Sequence, residues 1–115
     1  MNQMKLYYEK LKDINGIKLR SFKSYCSPVH WLMTLTLDDK YDRDDFLKYM
    51  NKKGVDCRQM VNPVHHALHF SKCFDENNFP VSIQVSKQSV HLPSSTFLSI
   101  DKIHYIAKIV IEYFN

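Results

Sequence analysis

Apolar positions recur at helical spacing over residues 1–13, where Met4, Tyr7, Tyr8 and Leu11 share a face and Lys and Glu fill much of the other. Asn15-Gly16 supplies a stop and a turn. Ile17 to Phe22 reads as a short strand, and Ser27-Pro28 breaks the chain after it. The run His30 to Leu37 (HWLMTLTL) is bulky, partly β-branched and uncharged, which predicts a strand covered on both faces. After the polar loop Asp38 to Asp42, Asp42 is placed to cap a helix over Arg43 to Lys53, with Asp44 and Asp45 near its positive end. Phe46, Leu47 and Met50 form its buried stripe, and Gly54 is its stop.

Val55 to Met60 predicts another strand. Asn62-Pro63 turns the chain into His65 to Phe70, one or two helical turns, and Asp75 to Pro80 is a loop. Val81 to Lys87 reads as a short helix opened by Pro80. Ser89 to Leu92 is a strand stopped by Pro93, and Ser99 caps a last helix, Ile100 to Phe114. No internal repeat or low-complexity tract interrupts this order. It fits an α+β fold, a small, mostly antiparallel sheet with helices packed on it.

The last helix is apolar over more than one stripe. Ile103, Ile106, Ala107, Val110 and Phe114 face one way, and Ile109, Ile111 and Tyr113 widen that face. Either the helix is packed deeply inside this domain, or its extra width meets another domain or subunit.

Composition narrows the setting. A chain of 115 residues predicts one domain. No run is long enough to cross a membrane as a helix, and the charged start MNQMKLYYEKLKD is unlike a secretory signal, so a cytoplasmic protein is expected. Cys26, Cys57 and Cys73 form no CxxC pair, which fits free thiols in a reducing compartment. The net charge of +4 is spread along the chain and selects no partner by itself.

Local chemistry is sparse. His65-His66-x-x-His69, with Cys73 four residues on, has metal-ligand spacing, but no HExxH or carboxylate completes it. No signature ties a cysteine to a histidine for nucleophilic catalysis, and Cys57 reads as a small core residue. The aromatic residues form no RNA-recognition motif, so no nucleic-acid partner is expected. Two glycines cannot build a phosphate-binding loop.

One stretch carries a resemblance. In FLKYMNKKGVDCRQMVNPVH (Phe46 to His65), a helix ends in Gly54-Val55, Arg58 follows after a two-residue gap, and Pro63-Val64-His65 comes next. This resembles the corresponding segment of the DegT/StrS-type PLP-dependent sugar-nucleotide aminotransferases. Val29-His30-Trp31-Leu32 is similar to their aromatic-rich strand. Phe79-Pro80-Val81 with Val90-His91-Leu92-Pro93-Ser94-Ser95 resembles their "FPVAE … INLPS" run, and Leu98-Ser99-x-Asp101 their closing helix. The variant is most similar to perosamine-synthase-like enzymes. Ile83 stands where the family has Glu, Ser89 where it has Gly, Lys87-Gln88 where it has a basic pair, and Asn62 where it has an aromatic.

The resemblance covers essentially the whole chain and implies the C-terminal small domain of a type I PLP-dependent aminotransferase. It implies that the large PLP-binding domain, with its Schiff-base lysine, lies outside residues 1–115, in cis or in trans. The chain alone would then bind no PLP and be inactive. In the full enzyme, a homodimer of polysaccharide biosynthesis acting on a nucleotide-linked keto-sugar, the small domain closes over the active site. Arg58, His65 and Trp31 become the substrate-binding candidates. Arg58 suits bidentate contact with an anion, against a surface salt bridge. His65 would line the substrate side, against a role in fixing the turn after Pro63. Trp31 would pack near the sugar, against a place in the core. His66, His69 and His91 read as structural or surface residues. The competing function is a non-enzymatic interaction module derived from the same fold.

Overall fold

The structure is a computed structural model, and it describes residues 3–29, 31–70 and 75–115. His30 and Cys73, which belong to the sequence patterns above, lie outside the described residues. The elements run α1 (Gln3–Leu11), β1 (Ile17–Leu19), β2 (Met33–Leu37), α2 (Arg43–Lys52), β3 (Arg58–Gln59), α3 (Pro80–Gln88), β4 (Ser89–Leu92) and α4 (Ile100–Phe114). Short 3-10 turns at Val64–His66 and Glu76–Asn78 sit between β3 and α3. The four strands form one antiparallel sheet in the order β1-β2-β4-β3. This is the α+β architecture that the sequence predicts.

Local chemistry explains the helix boundaries. The Asp42 carboxylate accepts from the Asp45 amide at 2.8 Å, and Ser99 Oγ accepts from the Lys102 amide at 3.4 Å. Each occupies one of the amide donors that a helix leaves free in its first turn. Pro80 opens α3, where its missing N–H costs nothing.

β2 differs from its expectation. The strand begins at Met33, and its residues alternate: Met33, Leu35 and Leu37 are buried, while Thr34 and Thr36 are half-buried. One face, not both, meets the apolar core. The reason is register. Met33 pairs with Leu92, the last residue of β4, so the chain before Met33 has no strand to join. Trp31 therefore stands outside the strand, 79% exposed, and the core position is excluded for it. β1 and β3 are likewise shorter than the periodicity suggests, because their backbones pair over fewer residues.

The core lies between the inner sheet face and three helices. Leu35, Leu37, Val90 and Leu92 come from the sheet, Tyr7 and Leu11 from α1, Phe46 and Met50 from α2, and Ile103, Ala107 and Val110 from α4. The width of α4's apolar face is thereby accounted for within this chain. The helix packs against α1 along one flank and α2 along the other, with Tyr113 and Phe114 joining Phe46 and Tyr41 in a cluster of tilted and edge-on rings.

The Leu92-Pro93-Ser94-Ser95 run acts as a tie. The buried Tyr7 hydroxyl donates to the Pro93 carbonyl at 2.9 Å. Burial pushes this phenol far above its ordinary range, with the neighbouring Cys57 contributing. Ser94 Oγ donates to the Trp31 carbonyl at 3.1 Å, and the Gln3 side chain donates to the carbonyls of Ser95 and Leu98. One turn thus fixes α1 and the connector carrying Trp31 against the end of β4.

Candidate functional site

The three substrate-binding candidates fall in different places. Arg58 begins β3 at the sheet edge, opposite His91 of β4. Its guanidinium pairs with Asp56 at 3.4 Å, but the side chain is 80% exposed, so the pair contributes little to stability and leaves the fork open to a ligand. His65 is buried in the 3-10 turn after Pro63, stacked on Phe79 at 4.7 Å and edge-on to His66 at 4.6 Å. Its Nε2 has no hydrogen-bond partner among the described residues. Leaving a buried group of this kind without a partner costs about 1–3 kcal/mol. Trp31 lies in the connector between β1 and β2. No hydrogen bond, ion pair or ring contact joins these three side chains.

Trp31 does line a cleft. A space of about 730 Å³ is bounded by Lys5 and Tyr8 of α1, by Arg20, Phe22 and Trp31 of the connector, and by Thr34 and His91 on the outer sheet face. Thr34 Oγ1 and His91 Nδ1 are 2.9 Å apart, a cross-strand hydrogen bond between directly paired residues. His91 reads from sequence as a structural or surface residue, and the structure puts it in the cleft wall. Its signal was the alternation Ser89-Val90-His91-Leu92, which turns His91 away from the core, although the link to Thr34 across 57 positions is invisible locally.

Partial burial lowers the His91 pKa below its usual 6.5 by disfavouring the imidazolium. The unfolded chain takes up this proton first as pH falls. The stabilisation from His91 is therefore complete above about pH 6.5 and declines as pH drops through that value towards the folded-state pKa. Urea unfolding midpoints are expected to fall between pH 7.5 and 5.0, and His91→Asn, which keeps a hydrogen-bonding group beside Thr34, is expected to flatten part of that slope. An unchanged slope would assign the dependence to other groups.

Cys57 is half-buried, and its thiol is pushed up to about 12 by burial and then by the Asp56 charge. It packs against the edge of the core, not within it. Among the described residues no group of three or more His, Cys, Asp or Glu side chains is placed to hold a metal ion. No helix among them is long and apolar enough to cross a membrane.

Over 106 residues the chain is 26% identical to the GDP-perosamine synthase of Vibrio cholerae, covering 90% of this chain and 26% of that enzyme. The fold matches DesV from S. venezuelae, solved with a ketimine intermediate, with a TM-score of 0.89 at 21% identity over 98% of this chain and 30% of that one. It also matches a DegT DnrJ EryC1 StrS aminotransferase from Brucella abortus with a TM-score of 0.82 at 18% identity, again over 98% and 30% of the two chains. The chain thus spans between a quarter and a third of the length of these relatives. The family pattern extends over residues 1–111, nearly the whole of the sequence, and the chain belongs to the DegT/DnrJ/EryC1/StrS aminotransferase family.

Proposed function

We propose that this chain is the C-terminal small domain of a PLP-dependent sugar-nucleotide aminotransferase, contributing substrate contacts and active-site closure without being catalytic alone. The observation that carries the reading is the family match over residues 1–111 combined with coverage of only 26% of the perosamine synthase. A large PLP-binding domain, in cis or in trans, would supply the cofactor lysine. The assembled enzyme would be a cytoplasmic homodimer acting on a nucleotide-linked keto-sugar, in polysaccharide biosynthesis.

Among the described residues, those lining the cleft do not fit PLP by themselves: the one lysine there, Lys5, lies 4.0 Å from Glu9, and no carboxylate is there to meet a pyridine nitrogen. Arg58, by contrast, has the form expected of a residue waiting for an anionic substrate group: planar, charged and held only by one exposed carboxylate. The His65 Nε2 atom would find its missing partner in the assembled enzyme or its substrate.

A chimera tests the reading. The chain replaces the matched region of the Vibrio cholerae perosamine synthase behind that enzyme's own large domain. The chimera is expected to bind PLP and transfer an amino group to a nucleotide-linked keto-sugar. Arg58→Ala and His65→Ala are each expected to raise KM about tenfold with a smaller effect on kcat, the size of one lost charge-assisted or buried hydrogen bond. A folded, PLP-loaded chimera without turnover on nucleotide-linked keto-sugars would contradict the proposal. So would a visible imine band formed by this chain alone with PLP and abolished by replacing one of its lysines.

A further inference from the structure

Helix α3 is not held to the domain by an apolar stripe. Val81 is 71% exposed and Val85 39% exposed, and the one buried residue of the helix is Ser86. A helix this short does not persist without tertiary contacts. Those that Ser86 makes are polar. Its hydroxyl donates to the Val61 carbonyl at 3.1 Å, and its own carbonyl accepts from the Arg43 guanidinium at 2.9 Å. That carbonyl is among the last four of α3, which find no amide inside the helix to meet. The Arg43 side chain is mostly buried, so its charge is held against the negative end of the α3 dipole.

The segment from Arg58 to His65 is gripped by α3 and by the strand that follows it. Arg58 and Gln59 pair with His91 and Val90 of β4. The Met60 amide donates to the Ser89 carbonyl at 3.0 Å. Val61 comes next, and its exposed side chain gives no anchorage; its carbonyl is held by Ser86. Asn62, Pro63 and Val64 then lead to His65, with the ring of Pro63 limiting how that link can bend. His65 stacks on Phe79, the residue immediately before α3. The two ends of one helix thus fix the chain at Val61 and at His65.

We propose that Ser86 is a positioning residue for His65. Its hydroxyl fixes the Val61 carbonyl, and its carbonyl, tied to Arg43, fixes α3 to α2. Without the hydroxyl, the Val61 carbonyl turns to water and the link up to Val64 gains freedom. His65 then samples orientations that misdirect Nε2. Substrate binding weakens, while amino transfer from the bound state changes little. That His65 meets substrate rests on the function proposed above. The brace itself rests on hydrogen bonds within this chain, at a residue that the family resemblance does not single out.

In the chimera, Ser86→Ala is expected to raise KM for the nucleotide-linked keto-sugar about fivefold, the size of one neutral hydrogen bond, with kcat changed less than about twofold. Alanine is the better helix former, which partly offsets the lost bond, so the melting temperature should move by less than about 4 °C. In a His65→Ala background, Ser86→Ala is expected to add less than about twofold, because residues that act through one another are not additive. Ser82→Ala, the same change at an exposed position of α3, is expected to leave KM unchanged. An active chimera whose KM Ser86→Ala does not move overturns the positioning role. So does full additivity with His65→Ala, which would assign Ser86 to general stability, and so does an equal effect from Ser82→Ala. The 115-residue chain provides a readout without turnover. Ser86→Ala is expected to shift the NMR resonances of the His65 ring, which the stacked Phe79 ring displaces, and to leave those of His104, exposed on α4, in place. An unmoved His65 resonance overturns the brace. A chimera without turnover removes the function proposed above, and the His65 resonance then still decides whether Ser86 holds His65.

Discussion

Gly16→Ala is expected to cost the domain about 2–5 kcal/mol, while Gly54→Ala costs about 1–2 kcal/mol. Both glycines have positive φ, +100° at Gly16 and +75° at Gly54, so any L side chain meets backbone strain at either one. Their surroundings differ. A Cβ at Gly16 would lie 2.5 Å from Tyr41 Cε2 and 2.8 Å from Phe114 Cδ1, whereas at Gly54 nothing stands within 4 Å. The two rings facing Gly16 are themselves packed edge-on with centroids 4.8 Å apart. Neither can retreat without disturbing the end of α4. Urea unfolding of the two variants side by side measures the difference, because the strain component is common to both. Equal losses would show that the rings yield freely and that the close turn between α1 and β1 is not fixed by packing.

The sequence makes some of these features legible and hides others for physical reasons. Helix α4 was readable to the residue because its signals are local: Ser99 as cap, Asp101 in the first turn, apolar positions at helical spacing. α2 was readable to within one residue between Asp42 and Gly54, its last residue being Lys52 and not Lys53. Strand ends were not readable, because a strand stops where its partner stops. Nothing in HWLMTLTL says that Leu92 ends β4 and so leaves Trp31 unpaired. The width of α4's apolar face was ambiguous until two flanking helices were seen to cover it. Of the site, Arg58 and His65 came from the resemblance, and the structure adds one exposed guanidinium and one buried unpartnered nitrogen. The line from Thr34 through His91 to Arg58 depends on pairing between distant segments. Alternation could show which way His91 turns but not what it meets.

Phe46→Ala is expected to remove about 3–5 kcal/mol, the range for deleting a fully buried aromatic side chain. Phe46 has no exposed surface and lies where α2 meets α4, edge-on to Tyr113 at 5.0 Å and 5.8 Å from Phe114. The vacated space is ringed by side chains already locked against one another, so collapse recovers little. A domain of this size has a total stability of about 5–15 kcal/mol, which makes the loss a large fraction of the whole. At about 4–8 °C per kcal/mol, the melting temperature should fall by at least about 12 °C, measurable by circular dichroism. Phe46→Leu keeps most of the volume and should lose well under half as much. The consequence reaches the proposed function. α2 ends at Gly54, and the chain returns from there to β3 through Val55, itself buried in the same core. Loosening α2 frees the segment that holds Arg58 in line with His91. In the chimera, Phe46→Ala should therefore raise KM for the nucleotide-linked sugar at temperatures below its melting point, before turnover is lost to unfolding. Phe46→Leu should leave KM unchanged. A Phe46→Ala chimera with normal KM up to its melting temperature would separate core packing from substrate contact and remove Arg58 from the binding surface.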